Sequence, residues 1–359
     1  MKLKKLFAVI LCVCMVMSLL CGCGGSKDDS SGSNSGSSST STSTGEEELP
    51  KRAAFVVSQA VGDEGPVDMV LSGIQANCEK YGFDLTIIEA EAGEYEESLT
   101  AMAEDGVKLI FSQFPAMLDA VETVAEQYPD HYFVHNICNL DGHENGMGLV
   151  GYEQQASFLV GVLAAMWTKV DRIGFIGGVD NPDINRFLDG YKEGAQYINP
   201  DIQIDVVWTN DFEDVALGKE MALTLYNNGC DVVWGSGGKV CLGYYEAVKE
   251  MGEGYYVIGC DVNHNHRAEG QVLGSLVCYY EKWADFAFDA YLNGTFEGGN
   301  YITSMTTGHM DLVLNDETNG VTIPDDIKAT IDDLREQIMS GEYKVKCFPD
   351  VKLLPEANS

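Results

Sequence analysis

Along this chain, short apolar runs alternate with longer stretches whose apolar positions recur at helical period. Residues 53–57, 84–89, 107–111 and 132–136 read as strands, separated by helices over 70–81, 98–104 and 117–128. The pattern then restarts. A helix over 155–168 leads into strands at 172–176, 204–208, 231–234 and 255–259, with helices at 184–198, 214–228 and 243–251 between them. A strand at 274–277 precedes a helix at 283–292 that returns to the first half, and a helix at 325–340 closes the fold. Near-continuous apolar strands alternating with amphipathic helices are the mark of parallel sheets covered on both faces. The expectation is an α/β protein of two doubly wound parallel-sheet lobes joined by hinge crossings. Lobe 1 is expected to hold residues 51–137 and about 264–305, and lobe 2 residues 138–263 and about 306–350.

The first fifty residues change the picture. Lys2, Lys4 and Lys5 precede an apolar run from Leu6 to Leu20, shorter than the ~20 residues of a membrane-spanning helix. A basic start, a short apolar stretch and small residues after it make an export signal over 1–22. Leu20-Cys21-Gly22-Cys23 resembles the bacterial lipobox, which implies lipidation at Cys23 and attachment to the outer face of the cell membrane; a plain signal peptide is the alternative. Residues 23–50 are mostly Gly, Ser, Thr and acidic residues, with no apolar face to bury, and read as a flexible linker.

Charge and cysteines narrow the classes further. A formal net charge of −34 gives no basic face for nucleic acid. Of eleven cysteines, four lie in the export signal and at Cys23 just after it; the other seven are scattered without a C-x-x-C pair. That is neither a zinc pattern nor a disulfide framework, and buried cysteines acting as small hydrophobes are expected. With 45% hydrophobic residues the mature chain has enough apolar surface for two cores.

In open α/β sheets ligands bind beyond the C-terminal ends of the strands. The loops there contain Asp63 after the first strand, Phe114 after the third and Asn136 at the end of the fourth. The second half contributes Phe212, the Gly237-Gly238 pair, and Gly259 with Asp261. Carboxylates, amides, glycines and aromatics suit a ring to be stacked and a polyol to be hydrogen-bonded. Blander readings exist for each. Phe212 and Trp208 can be core residues, and core is favoured for Trp208; Asp261 can cap a helix. Gly235-Ser236-Gly237-Gly238-Lys239-Val240 fails the phosphate-loop pattern, because Val233 and Val240 stand where glycine and a hydroxyl residue are needed. His264-Asn265-His266 reads as a solvated loop rather than a metal site. No G-x-S-x-G elbow is present, so no catalytic residue, cofactor or metal is assigned.

A series of motifs points further. Gln154-Gln155-Ala156-Ser157-Phe158-Leu159-Val160-Gly161 and Phe175-Ile176-Gly177-Gly178-Val179-Asp180, with Arg186-Phe187 and Gly190-Tyr191 through Gly194-Ala195, come first. Asn199-Pro200, Phe212-Glu213-Asp214, Gly229-Cys230-Asp231-Val232-Val233, Ile258-Gly259-Cys260-Asp261 and Leu273-Gly274-Ser275 follow in order. Over about residues 53–314 this resembles the basic membrane protein lipoproteins, solute-binding components of ABC importers that include purine nucleoside receptors. The resemblance implies a type I periplasmic-binding fold with three hinge crossings, a monomer that delivers a purine nucleoside to permease subunits, and no catalysis. It implies that Asp261 accepts ribose hydroxyls, Phe212 stacks on the base, Asn136 bonds the base edge, and Gly237, Gly238 and Gly259 allow close backbone approach. Two positions depart: the family's D-x-S-F-N stretch falls on Asp63-Glu64-Gly65-Pro66-Val67, and its sugar-side lysine on Cys278. Phe114, Tyr279 and Tyr280 are the residues that could take over. A sugar or other metabolite receptor of the same fold, and an extracellular hydrolase, are the competing classes.

Overall fold

The structure, a computed structural model, describes residues 49–62 and 64–354. Cys23, where lipidation is expected, the expected linker up to 48 and the loop residue Asp63 lie outside the described residues. In chain order the elements are β1 (Arg52–Val57), α1 (Pro66–Tyr81), β2 (Asp84–Glu89), α2 (Tyr95–Glu104), β3 (Leu109–Gln113), α3 (Leu118–Gln127), β4 (Tyr132–Asn136) and β5 (Gly146–Gly151). Then come α4 (Gln154–Trp167), β6 (Arg172–Gly177), α5 (Pro182–Ile198), β7 (Gln203–Trp208), α6 (Val215–Asn227), β8 (Val232–Ser236), α7 (Leu242–Met251) and β9 (Tyr256–Gly259). The chain ends with β10 (Val272–Cys278), α8 (Glu281–Leu292), β11 (Gly299–Thr303), β12 (Met310–Leu314) and α9 (Asp325–Ser340).

Two six-stranded sheets form, ordered β11-β5-β4-β3-β1-β2 and β12-β10-β9-β8-β6-β7. All neighbours are parallel except β10 and β12. Central strands are apolar on both faces because helices cover both. In β3, Leu109 and Phe111 enter the core under α1 and α8, while Ile110 faces α2 and α3. Phe111 stacks on Phe288 of α8 at 5.4 Å between ring centres.

The sheets correct the expected lobe boundaries. Residues 146–151 belong to the first sheet rather than lobe 2, and residues 272–278 to the second rather than lobe 1. β5 escaped notice because Gly-Met-Gly-Leu-Val-Gly has half its positions without a side chain, a weak strand pattern. Gly148 is needed there: a Cβ would sit 2.4 Å from Asn300 Oδ1 and 2.6 Å from Leu140 N. The helix α8 does return to lobe 1, where it packs on α1.

The chain therefore crosses between lobes three times, at 151–154, 278–281 and 303–310. The C-terminal segment adds a fourth link. It leaves α9, where the backbone amides of Lys346 and Cys347 donate to the Glu193 carboxylate of α5 at 2.8 Å each. It then bridges to the edge of the first sheet, where Leu354 N–H donates to Ile302 O at 2.7 Å. Glycines of two of the quoted motifs serve packing: a Cβ on Gly161 of α4 would lie 2.1 Å from Tyr191 O, and one on Gly194 of α5 1.9 Å from Phe158 O. The two helices approach at backbone distance, and Asn181 caps the start of α5 by accepting from Ile184 N–H at 2.9 Å.

Candidate functional site

A cavity of about 300 Å³ lies where the C-terminal ends of both sheets face each other. Lobe 1 lines it with the loops after β1, β3 and β4; lobe 2 with the start of α5 and the loops after β7, β8 and β9; the hinge adds Glu153 and Tyr280. Of the expected residues, Phe114, Phe212, Gly238 and Asp261 meet there. Asn136, Gly237 and Gly259 stand just behind the wall. Asn136 is 1% exposed and its Nδ2 donates to Ser112 O at 2.9 Å, holding the end of β3. Gly237 lets two strand-end loops touch, since a Cβ would lie 3.1 Å from Gly178 N. A Cβ on Gly259 would meet Ser275 Oγ at 2.3 Å, so its close approach is to β10.

Phe212 sits in a loop stiffened by its own polar residues. Thr209 Oγ1 donates to Gly178 O at 3.1 Å, and Asp211 Oδ1 accepts from the amides of Glu213 (2.6 Å) and Asp214 (2.9 Å). Those amides hold the Asp211 carboxyl below its usual pKa. Asp214 then caps α6 through Leu217 N–H at 3.0 Å. The Phe212 ring rests on Gly178, where a Cβ would come within 2.4 Å of Cε1.

Asp261 lies at the end of β9 and caps no helix; the next element is β10. Its carbonyl accepts from Cys278 N–H at 2.9 Å and its Oδ1 from the Tyr280 hydroxyl at 3.2 Å. The neighbouring thiols of Cys241, Cys260 and Cys278 are buried, which pushes each well above the usual thiol range and keeps them protonated.

Among the described residues six non-glycine residues have left-handed backbone, and four of them line this cavity: Glu64 (φ 50°), Phe114 (75°), Ile137 (62°) and Asp261 (64°). Aspartate tolerates that region; phenylalanine and isoleucine do not, and such strain gathers where a side chain is needed in place. Sequence patterns carry no sign of φ, so Ile137 was not anticipated.

Other cavity residues were overlooked for similar reasons. Arg186, one turn into α5, donates to Glu153 at 3.0 Å and to Asp183 at 2.8 Å, and lies 5.0 Å over the Tyr152 ring. Burial raises the Glu153 pKa even against the adjacent guanidinium; for Arg186 burial acts to lower it, but the two carboxylates prevail and raise it. The lining's other cation, Lys239, is paired with Glu213 at 2.9 Å. His264 overturns the expectation of a solvated loop. It is 7% exposed, edge-on to Tyr245 at 5.4 Å, and its backbone N–H donates to Ser275 Oγ at 3.0 Å. Burial pulls its pKa down to about 4.

Among the described residues no three metal-ligating side chains come together, and no helix is long and apolar enough to cross a membrane. The family model described as "ABC transporter substrate-binding protein PnrA-like" matches residues 51–347. Basic membrane protein A1 of Borrelia garinii subsp. bavariensis is 28% identical over 304 residues, covering 84% of this chain and 89% of that protein. The "ABC transporter nucleoside-binding protein BmpA" of Lactococcus lactis subsp. cremoris is 27% identical over 323 residues, covering 84% and 90%. A solute-binding protein of an ABC transporter system from Aeropyrum pernix K1 shares the fold with a TM-score of 0.74 at 24% identity, over 84% of this chain and 94% of that one.

Proposed function

The chain belongs to the PnrA-like ABC transporter substrate-binding proteins, and from that premise we propose that it is a receptor whose lobes close on a ribonucleoside for delivery to an ABC permease. The observation that carries this reading is the juxtaposition in one cavity of Phe114 from lobe 1, Phe212 from lobe 2, and Asp261 with Tyr280 at the hinge side. Two aromatics from opposite lobes offer a base its stacking surfaces, each worth about 0.5–1.5 kcal/mol beyond burial. Asp261 offers a carboxylate to vicinal hydroxyls, a charged hydrogen bond worth about 1.5–3 kcal/mol. A nucleoside-binding relative from Lactococcus lactis supports the same assignment.

The charges argue for an unphosphorylated ligand. Both cations of the lining are engaged by carboxylates, so a phosphate would meet Asp261 with nothing to neutralise it. Attachment completes the proposal: lipid on Cys23 tethers the receptor outside the membrane through the Gly/Ser/Thr linker, within reach of its permease.

Calorimetric titration with adenosine, adenine, ribose and adenosine monophosphate tests the ligand class, alongside native mass spectrometry of the protein as purified. Adenosine should bind at least tenfold tighter than adenine or the monophosphate. Tight binding of ribose without adenosine would make this a sugar receptor, and turnover of any of the four would remove it from the receptor class.

A further inference from the structure

Glu64 in lobe 1, just ahead of α1, and Arg267 in lobe 2, between β9 and β10, form an ion pair through Arg267 Nη2. Among the described residues every other ion pair joins groups within one lobe or ties lobe 2 to the hinge residue Glu153. This one spans the two lobes, joining Glu64 of the cavity lining to Arg267 beside it. A second, smaller cavity of about 180 Å³ beneath it is lined from lobe 1 by Glu64, Asp68 and Met69 and from lobe 2 by Asn263, His264 and Arg267.

Three features separate this contact from a casual surface pair. Glu64 is held in left-handed backbone, φ 50°, a conformation that glutamate avoids unless its surroundings impose it. The Arg267 side chain is three-quarters buried, and its Nε is buried without a partner. His264, three residues earlier, reaches both cavities, and the Glu64 backbone lies close to its ring, yet neither ring nitrogen makes a hydrogen bond of ordinary length. A buried arginine nitrogen and a buried imidazole without partners both cost free energy that the fold of lobe 2 does not require. Glu64, Asp68 and Met69 of lobe 1 close the small cavity over them, and opening the cleft would admit water to both.

We propose that His264 and Arg267 form a clasp that closes on Glu64 across the cavity mouth, so that ligand release waits on breaking an ion pair and is quickened by salt. The clasp rests on the reading that a ligand is enclosed between closing lobes, but not on the identity of that ligand. Because the Glu64 carboxylate is two-thirds exposed, the pair's contribution is that of a partly solvated one, roughly a two- to fivefold change in release rate.

The test compares the parent with Arg267→Glu, Arg267→Gln and the swap Glu64→Arg/Arg267→Glu, each checked for unchanged circular dichroism. Adenosine is the probe for dissociation by stopped flow, and small-angle scattering of the ligand-free proteins reports lobe opening whether or not adenosine binds. In 20 mM salt Arg267→Glu and Arg267→Gln should be more expanded than the parent and release adenosine about two- to fivefold faster. The swap should return both towards the parent, and 1 M NaCl should remove the differences by screening. If the parent, both single variants and the swap share one radius of gyration and one salt-independent release rate, the clasp does not exist. If adenosine fails to bind while the scattering series behaves as described, the clasp stands and the nucleoside reading falls.

Discussion

The two lobes build opposite walls of one cavity by different means. Lobe 2 places Phe212 and Asp261 in loops whose geometry is written locally: Thr209, Asp211 and Asp214 hydrogen-bond their own neighbours, and Asp261 tolerates its left-handed backbone. Lobe 1 places Phe114 and Ile137 in backbone conformations that bulky residues avoid. Those are imposed by the sheet: Phe114 N–H donates to Asn136 O at 3.0 Å, and Ile137 N–H to Leu149 O at 2.7 Å. A wall encoded by its own loop residues survives as a motif; a wall imposed by tertiary contacts leaves only ordinary residues behind. The comparison predicts that lobe 2 carries the general part of recognition and lobe 1 the part peculiar to this chain.

The largest expected effect lies at the hinge side of lobe 2. Arg186→Met would strand the carboxylate of Glu153, which is 3% exposed. Breaking a buried pair from one side costs about 3–5 kcal/mol of stability, read by chemical denaturation. Burial already raises the Glu153 pKa with the arginine present, so without it the carboxyl would be pushed higher still and take up a proton more readily as pH falls. The loss should therefore shrink from pH 7 to pH 5, and adding Glu153→Gln should recover much of it. Equal loss at both pH values would mean that the pair is not the cause. Next comes Asp261→Ala, expected to weaken adenosine about ten- to a hundredfold with little effect on adenine. Phe212→Ala should weaken both. If Asp261→Ala leaves adenosine unchanged in calorimetry, the assignment of the sugar to lobe 2 is wrong.

The same contrast explains what could be read from the sequence. β2, β4 and α9 begin and end where hydrophobic patterning puts them, because apolar runs bounded by turn residues leave little choice. β5, β11 and β12 went unseen. The first is half glycine, the second is an edge strand with polar Asn300 and Thr303, and the third is the short antiparallel return at the far edge. In the site, Phe212 and Asp261 came from ordered motifs, and Phe114 and Gly238 from the loops at strand ends. Arg186 stood inside a quoted motif, but its partner Glu153 lies 33 residues away in the chain, and no spacing rule reaches that far. His264 looked like any polar loop residue because its burial depends on residues distant in the chain, Tyr245 and Ser275 of its own lobe and Glu64 of the other.

That dependence gives a pH test of how the lobes meet. His264 is near 4 in the closed arrangement, against about 6.5 for an open, solvated imidazole. Closure thus requires the neutral ring: the contribution is fully present above about pH 6.5 and fades as pH falls towards 4. The groups facing it are Glu64 and Asp68 from lobe 1 and Tyr245, His266 and Arg267 from lobe 2. Adenosine affinity should be flat from pH 8 to 7 and drop by about thirtyfold at pH 5. His264→Gln should flatten the profile. His135 and His309 also lie near 4, bonded to Ser112 and Thr307, and would lower thermal stability in acid equally in both proteins. An unchanged profile in His264→Gln would place the titrating group elsewhere.

A smaller effect is the sharpest probe of the lobe 1 wall, because binding and stability should change independently of each other. Phe114 has φ 75° and ψ 147°, a region that glycine enters without penalty and that costs other residues about 1–3 kcal/mol. Phe114→Gly relieves that strain but raises the backbone entropy of the unfolded chain and loses the packing of a half-buried ring, so thermal stability should stay near the parent's. Affinity for adenosine should still fall by roughly tenfold, the value of one stacking surface. Phe114→Leu separates the contributions: it keeps apolar bulk and strain but removes the aromatic face, and should bind adenosine weakly while losing stability. Phe114→Tyr should bind like the parent. If glycine, leucine and tyrosine variants all bind adenosine equally, the ring contributes nothing to recognition, and the strain at the end of β3 serves the path of the chain alone.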